Sequence, residues 1–489
     1  MDRRDFLIGT GMFALADSAA AEPVLMAQAG APAPPAVAAR PGIEEQLADY
    51  ALGPRYADLP REIVDGVKRL LIDTLACAFG AVDSPPARIA EETFRKTFGG
   101  SEVASVIGGK RMMSTEGATL INGILVRYLD LNDIYVGFDP NHPSECIPAA
   151  LAVAEETGAS GRALIEAILV GYEAQLALAD AFSFSDRGFH SLSAGGWAVP
   201  LMAGKLWGLT RAQIIDAMGV AGPRQLTLLA MNRGPISMIK AMAYANTAMD
   251  ALLATRMAAA GFTGASQSIA WFAANVKGKR PDQPFSIERG KFRLPKVGLK
   301  RFPLQFELQS VAEAGVNLHE RVRGRLKDIA EILVETYPST IERTADPSRY
   351  RPATKETADH SLPVCMALAL TDGDVTIEQF EHDRWKADEI LALAQKVKVR
   401  VSEKLVAAEP RGRGAATTVT FGDGKKEETT VAIADGDARR PMSRAALEHK
   451  FTQHAEHHLG AARARAALAM IDRLEEIGDT RELMKALRG

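Results

Sequence analysis

The residues best suited to chemistry lie in one stretch of the chain, from Ile121 to Glu145. Apolar residues at helical spacing begin this stretch, and three carboxylates follow in a loop: Asp130, Asp133 and Asp139. The loop ends at His142, and Ser144 can cap a second helix that starts near Glu145. A carboxylate and a histidine can act as general base and general acid, and the start of a helix suits an anionic group. In the alternative interpretation, the aspartates only end one helix and His142 packs on a turn.

A resemblance to a known family favours the chemical interpretation. The stretch resembles the Asp-Phe-Asp-Asp … His-Pro-Ser segment of the MmgE/PrpD family, which includes 2-methylcitrate dehydratases, cis-aconitate decarboxylases and iminodisuccinate epimerases. In that family the first aspartate and the histidine line the active site, and they match Asp130 and His142 here. The resemblance therefore implies that both residues are catalytic.

Two further candidates lie in the same half of the chain. His190 follows Gly188 and Phe189, and the family places a ligand-facing histidine at a similar Gly-Phe-His site, although a lone histidine is usually a turn or core residue. Lys240 lies among apolar residues on a predicted helix, 236–260, where an ammonium needs a counter-charge unless it reaches solvent. Counting back from the family-like Gly-Phe-Thr-Gly element at 261–264 puts Lys240 on the family's catalytic lysine.

The second half of the chain supplies the predicted substrate-binding residues. The element 300–314, KRFPLQFELQSVAEA, resembles the dehydratase branch's Phe-Pro-Ala-Glu-Phe-His-Ala-Gln-Ser, and 352–363 is another match to the family. A substrate with several carboxylates needs several cations, and arginine can grip a carboxylate with two hydrogen bonds. We therefore predict that Lys300, Arg301 and Gln309 bind substrate together with His190.

The resemblance implies a cofactor-independent hydro-lyase of the 2-methylcitrate dehydratase type, acting on a small di- or tricarboxylic hydroxy acid. Such a reaction removes a proton beside a carboxylate and protonates the departing hydroxyl, and the sequence leaves open which residue takes which role. Decarboxylation and epimerisation within the family stay open, as does a non-catalytic periplasmic polycarboxylate-binding protein. Three departures make decarboxylation less favoured: Ile134 replaces that branch's threonine, Asp346 lies near its tyrosine position, and Arg127 replaces a frequent histidine.

Composition excludes several other classes of protein. The formal net charge of -3 gives no general attraction for nucleic acid or anionic lipid. Three cysteines are too few for a disulfide framework. His454 and His458 have a zinc-like spacing, but their charged neighbours indicate a solvated helix face. Neither nucleotide-binding glycine motif is present, so we expect no metal and no cofactor.

The elements that must position these residues are mostly helices. We predict a large all-α domain built from N- and C-terminal segments, with an inserted smaller α+β lid domain. The predicted boundaries run in chain order: 1–29 a twin-arginine-type signal peptide, 30–41 a Pro/Ala linker, 42–275 helical, 276–435 the α+β lid, and 436–489 C-terminal helices returning to the helical domain. Arg3-Arg4 before Phe6-Leu7 indicates export to the periplasm. The resemblance also implies a homodimer, with no membrane association of the mature form.

Overall fold

A computed structural model describes residues 41–98, 100–232 and 236–489, of which residues 42–489 form one compact unit. The predicted signal peptide and all but the last residue of the predicted linker lie outside the described residues. Within the described ranges, every helix is too short or too polar to cross a membrane.

Helices dominate the first half of the unit. The described residues of this half form ten α-helices, in this order: α1 Ile43–Ala51, α2 Arg61–Gly80, α3 Pro85–Thr97, α4 Thr115–Tyr128, α5 Ile147–Thr157, α6 Gly161–Ala181, α7 Gly195–Leu206, α8 Arg211–Ala221, α9 Ile239–Ala259 and α10 Ser268–Asn275. Two short antiparallel pairs lie between them: β1 Ala104–Ser105 with β2 Met112–Met113, and β3 Tyr135–Val136 with β4 Pro140–Asn141. Each of these strands is only two residues long.

Side-chain hydrogen bonds cap the starts of α6 and α8. Ser160 and Thr210 each accept a hydrogen bond from a backbone N–H of the first turn, at Ala163 and Gln213. The prediction for Ser144 is wrong, because it lies inside a short 3-10 turn and α5 begins at Ile147. The backbone N–H and hydroxyl of Ser144 both donate to the Asp133 carboxylate instead.

Small residues allow α4 and α9 to approach closely. At Gly123 on α4, an added Cβ would lie 2.7 Å from the Cβ of Ala245 on α9, which is closer than side chains tolerate. These two helices carry Arg127 and Lys240 at the site described below. The close approach therefore sets the distance between two of the candidate residues.

The second half mixes helices with one four-stranded sheet. Its helices are α11 Gln309–Val322, α12 Pro338–Thr344, α13 Lys355–Ala358, α14 Leu362–Asp372, α15 Ile377–Glu381, α16 Asp388–Ala394 and α17 Glu403–Ala408. Its strands are β5 Ile329–Thr336, β6 Val397–Val401, β7 Ala415–Phe421 and β8 Lys426–Val431, in the order β6-β5-β7-β8. The β5–β6 pair is parallel and the others are antiparallel. Helix α11 packs against β7, β8 and α14.

The segment 277–302 precedes this sheet and adds no strand to it. In the described chain this segment forms only an isolated bridge between Gly298 and Ile134. Three prolines, at 281, 284 and 295, remove backbone donors that a ladder needs. The segment instead lies along the helical region, where Arg293 contacts Glu173 and Asp180.

Three helices near the end of the chain pack back on the first half: α18 Arg444–Leu459, α19 Ala461–Asp472 and α20 Arg481–Leu487. Helix α18 packs against α2 and shares its hydrophobic core. A separate core joins residues between Phe302 and Phe421. The protein is therefore mostly helical, while the boundaries at 275 and 435 stay predictions.

All three cysteines, Cys77, Cys146 and Cys365, are buried and unpaired. Burial raises the pKa of each thiol, so none is an activated nucleophile.

Candidate active site

Asp130 lies at the centre of the site, immediately after α4 ends. Its φ of 49° is in the left-handed region, which costs free energy for a residue other than glycine and needs support from the surroundings. That support comes from cations. The side chain itself is buried.

Three cations from separate parts of the chain bind the Asp130 carboxylate. Lys240 on α9 donates to Oδ2 at 2.6 Å. Lys300 donates to Oδ1 at 2.6 Å and to the backbone carbonyl of Asp130 at 2.9 Å. Arg127, one turn back on α4, donates to Oδ1 at 2.5 Å and also pairs with Glu145 at 2.9 Å. Burial raises the pKa of Asp130, but these three charges outweigh burial and hold its pKa well below the usual value. Asp130 is therefore a carboxylate that orders cations, and a weak base.

Lys240 continues the network into the second half of the chain. Its Nζ lies 3.0 Å from Nε2 of His360, which is also 3.4 Å from Oδ2 of Asp130. The other ring nitrogen of His360 contacts the carboxylate of Asp359. Because Lys240 donates to Nε2, the proton of neutral His360 lies on Nδ1, where Asp359 accepts it.

Asp130, Asp359 and His360 also offer three potential metal-ligand atoms within 4.8 Å of one another. The ammonium of Lys240 already contacts two of these three residues, Asp130 and His360. A metal ion there would face this cation at close range, so the donor set fits a lysine better than a metal.

The loop after Asp130 orients His142. Nδ1 of His142 lies 2.5 Å from the backbone carbonyl of Asp133, so Nδ1 carries the proton and Nε2 offers a lone pair. The Asp133 carboxylate accepts from Ser144 and, at 2.9 Å, from the hydroxyl of Tyr172, which fixes the loop. Burial and the nearby charges of Arg127 and Lys300 lower the pKa of His142 well below its usual value.

Titration states at neutral pH follow from these surroundings. Burial lowers the pKa of Lys240 to about 8, although Asp130 opposes the shift. Burial and the charge of Lys240 lower the pKa of His360. Burial raises the pKa of Asp133 and of Glu145 to about 7. At pH 7 the site thus combines a neutral His142 with a mostly charged Lys240.

These groups open onto one cavity of about 210 Å³ between the two halves of the described chain. One wall comes from the first half and includes Arg127, Asp130, Asp139, His142, His190 and Lys240. The facing wall comes from the second half and includes Gln305, Phe306, Glu342, Arg343, Asp346, Arg349 and His360. The cavity is therefore strongly polar, as a site for a small charged molecule requires.

Four predicted site residues meet at this cavity: Asp130, His142, His190 and Lys240. Nδ1 of His190 accepts from the backbone N–H of Leu192, which sets its ring orientation.

The other three predicted residues do not line this cavity, and their contact with substrate stays a prediction. Lys300 is fully buried behind Asp130 and does not line the cavity. Gln309 uses its side-chain amide to bind backbone groups of Arg301, Phe302 and Leu304. Arg301 is exposed and stacks over the ring of Phe302.

Sequence reasoning missed His360, Asp359 and Arg349. The first two lie within the matched segment 352–363, so the signal was present but was read only as a family marker. Arg349 had no motif to single it out.

Perturbed titratable groups that converge on one polar cavity define the class of site found in enzymes that move protons. The chain belongs to the MmgE/PrpD family: residues 45–280 match the MmgE/PrpD N-terminal domain and residues 302–476 match the C-terminal domain. It is 25% identical to a 2-methylcitrate dehydratase of Escherichia coli (strain K12), over 81% of this chain and 86% of that protein. It is 24% identical to a human cis-aconitate decarboxylase, over 91% of this chain and 95% of that protein.

The position of Lys300 predicts a structural role that can be measured. Lys300→Ala leaves the buried carboxylate of Asp130 short of one cation, which should lower the free energy of unfolding by about 3–5 kcal/mol. Arg301→Ala removes an exposed neighbour and should cost about 1 kcal/mol or less. Urea unfolding of both variants tests this, and equal losses would contradict the role assigned to Lys300.

Proposed function

We propose that the protein is a lyase of the 2-methylcitrate dehydratase type, which eliminates water from a small di- or tricarboxylic hydroxy acid without a cofactor. The observation that carries the proposal is that His142, oriented by the carbonyl of Asp133, and Lys240, held by Asp130 and His360, line one cavity. Burial lowers the pKa of both groups, that of His142 well below its usual value and that of Lys240 to about 8, so near neutral pH the histidine is free to act as base and the lysine as acid.

In this mechanism, Nε2 of His142 removes a proton from the carbon beside a substrate carboxylate. The electron pair left on that carbon forms the new double bond as the hydroxyl on the neighbouring carbon departs. Lys240 gives that hydroxyl a proton, so water leaves. The lysine ends neutral and the histidine ends charged, and exchange with solvent restores both. His360, supported by Asp359, accepts a hydrogen bond from Lys240 and orients its amine.

Asp130 takes a positioning role in this scheme rather than the catalytic role expected from the family motif. Its carboxylate orders Lys240 and Arg127 and keeps their charge at the cavity wall. Cations there stabilise the negative charge that develops on the substrate carboxylate during proton removal.

Epimerisation is the second candidate, because it also needs two proton-transfer groups facing one carbon, and His142 and Lys240 supply such a pair. Decarboxylation has less support, since Ile134 and Asp346 line the cavity where that branch has a threonine and, nearby, a tyrosine. A non-catalytic polycarboxylate-binding protein would need the cations but not this acid–base pair.

We also propose that the second half acts as a lid, that the protein is exported to the periplasm, and that it works as a homodimer. The location of the cavity between the two halves supports the lid, because their separation would admit substrate. Large apolar side chains exposed on the helical region, such as Leu253, Phe262 and Trp271, support docking of a second copy.

The acid–base assignment predicts a pH profile. Lys240 must carry its proton, so kcat/KM for 2-methylcitrate dehydration should fall by about tenfold per pH unit above about pH 8. His142 is already neutral, so activity should persist well into the acidic range. Lys240→Arg should lower kcat severely at every pH, since a guanidinium does not release the proton that the departing hydroxyl needs. Lys205→Arg, away from the cavity, is the matched control, and activity that rises through pH 8 would contradict the assignment.

Export is tested on the full chain. Replacing Arg3 and Arg4 by lysine should retain the protein in the cytoplasm, because a twin-arginine-type signal depends on the arginine pair. Cell fractionation with immunodetection measures the distribution. A doubly substituted protein that still reaches the periplasm would show that the signal is of another kind.

The oligomeric state has a direct readout. Light scattering of the protein without residues 1–40 should give twice the monomer mass, because burial of exposed apolar side chains favours association. A monomer at micromolar concentration would refute the dimer.

A further inference from the structure

The cavity wall from the second half carries two arginines, Arg343 on α12 and Arg349 in the turn that follows. The two arginine side chains differ in how far they are exposed to solvent, which affects how strongly each can bind an anion. Arg343 has a side chain that is 37% exposed and lies 3.9 Å from the Glu307 carboxylate. The side chain of Arg349 is only 6% exposed, yet it lines the cavity.

The hydrogen bonds of Arg349 leave one edge of its guanidinium available. Nε donates to Oδ2 of Asp346 at 2.9 Å, and Nη1 reaches the carbonyl of Thr357 only at 3.5 Å. Among the described residues, no acceptor takes a hydrogen bond from Nη2. The outer Nη1–Nη2 edge can therefore still bind a carboxylate with two parallel hydrogen bonds.

Asp346 fixes the direction of this edge. Its Oδ1 accepts from the backbone N–H and the hydroxyl of Ser348, while its Oδ2 accepts from Arg349. Both oxygens are thus engaged, and the carboxylate restrains the guanidinium from one side. Preorganisation of this kind reduces the entropy lost when a ligand binds.

The other buried cations near the cavity are already paired. Arg127 is shared between Asp130 and Glu145, and Lys240 between Asp130 and His360. Lys300 lies behind Asp130. A second or third substrate carboxylate, away from the reacting carbon, could therefore bind Arg349 on the wall that the second half of the chain supplies.

We propose that Arg349, oriented by Asp346, binds the substrate carboxylate remote from the reacting carbon and thereby selects polycarboxylates by their number of carboxylates. The inference rests on the proposed function only for the identity of the reacting end of the cavity. Arg349 is then a specificity-determining residue, and Asp346 is a positioning residue.

Two inert probes test the selection without turnover: propane-1,2,3-tricarboxylate and succinate, measured by calorimetry at constant ionic strength. The unaltered protein should bind the tricarboxylate at least about tenfold more tightly, since a charged hydrogen-bonded pair contributes about 1.5–3 kcal/mol. In Arg349→Gln this ratio should collapse to below about threefold, by loss of the same pair. Arg351→Gln removes the same charge from a neighbouring exposed position and should keep the ratio.

A second variant covers the case in which Arg349→Gln does not fold. Arg349→Lys keeps the charge but loses the two-pronged geometry, so the ratio should fall by about threefold or more. The proposal is overturned if the ratio of tricarboxylate affinity to succinate affinity is unchanged in the Arg349 variant that folds. It is also overturned if Arg351→Gln loses the ratio to the same extent.

The two proposals fail separately. A protein that dehydrates a hydroxy acid but shows no dependence of the ratio on Arg349 refutes this inference alone. A protein that shows the dependence but turns over no hydroxy acid supports the inference and refutes the proposed function.

Discussion

The buried carboxylate of Asp130 is the constraint on which the site depends. It binds one cation from α4, one from α9 and one from the segment before α11, so a single charge joins three regions of the chain. Burying any one of these charges alone would cost several kcal/mol of folding free energy. The attraction between the carboxylate and its three cations largely offsets that cost. The left-handed backbone at Asp130 is tolerated because Lys300 binds both the side chain and the backbone carbonyl of this residue.

The same network sets the chemistry. With its charge balanced by cations, Asp130 cannot readily accept a proton, and burial pushes Lys240 and His142 toward lower pKa values. A base and an acid therefore coexist at neutral pH although both are nitrogen groups. Small residues make this possible, because the close contact of Gly123 with Ala245 brings α4 and α9 near enough to share one carboxylate.

The sequence was sufficient where chemistry was tied to local motifs or regular periodicity. Asp130 and His142 lie on one loop, and Lys240 lies at a fixed distance from a recognisable helix end, so all three were predicted. Lys300 was predicted to bind substrate, and the sequence alone does not show that its side chain points to Asp130. His360 acts 230 residues after Asp130, a proximity that only the packing of the two halves creates.

The buried cysteines have a practical consequence for experiments on motion. Because all three thiols are enclosed and held in their protonated form, maleimide and iodoacetamide reagents should leave the folded protein almost unlabelled. A cysteine introduced at one exposed position, such as Lys425 between β7 and β8, would then be the sole reactive thiol. A fluorophore or spin label could thus be attached without first removing the native cysteines, and the local motion of the turn between β7 and β8 could be followed directly.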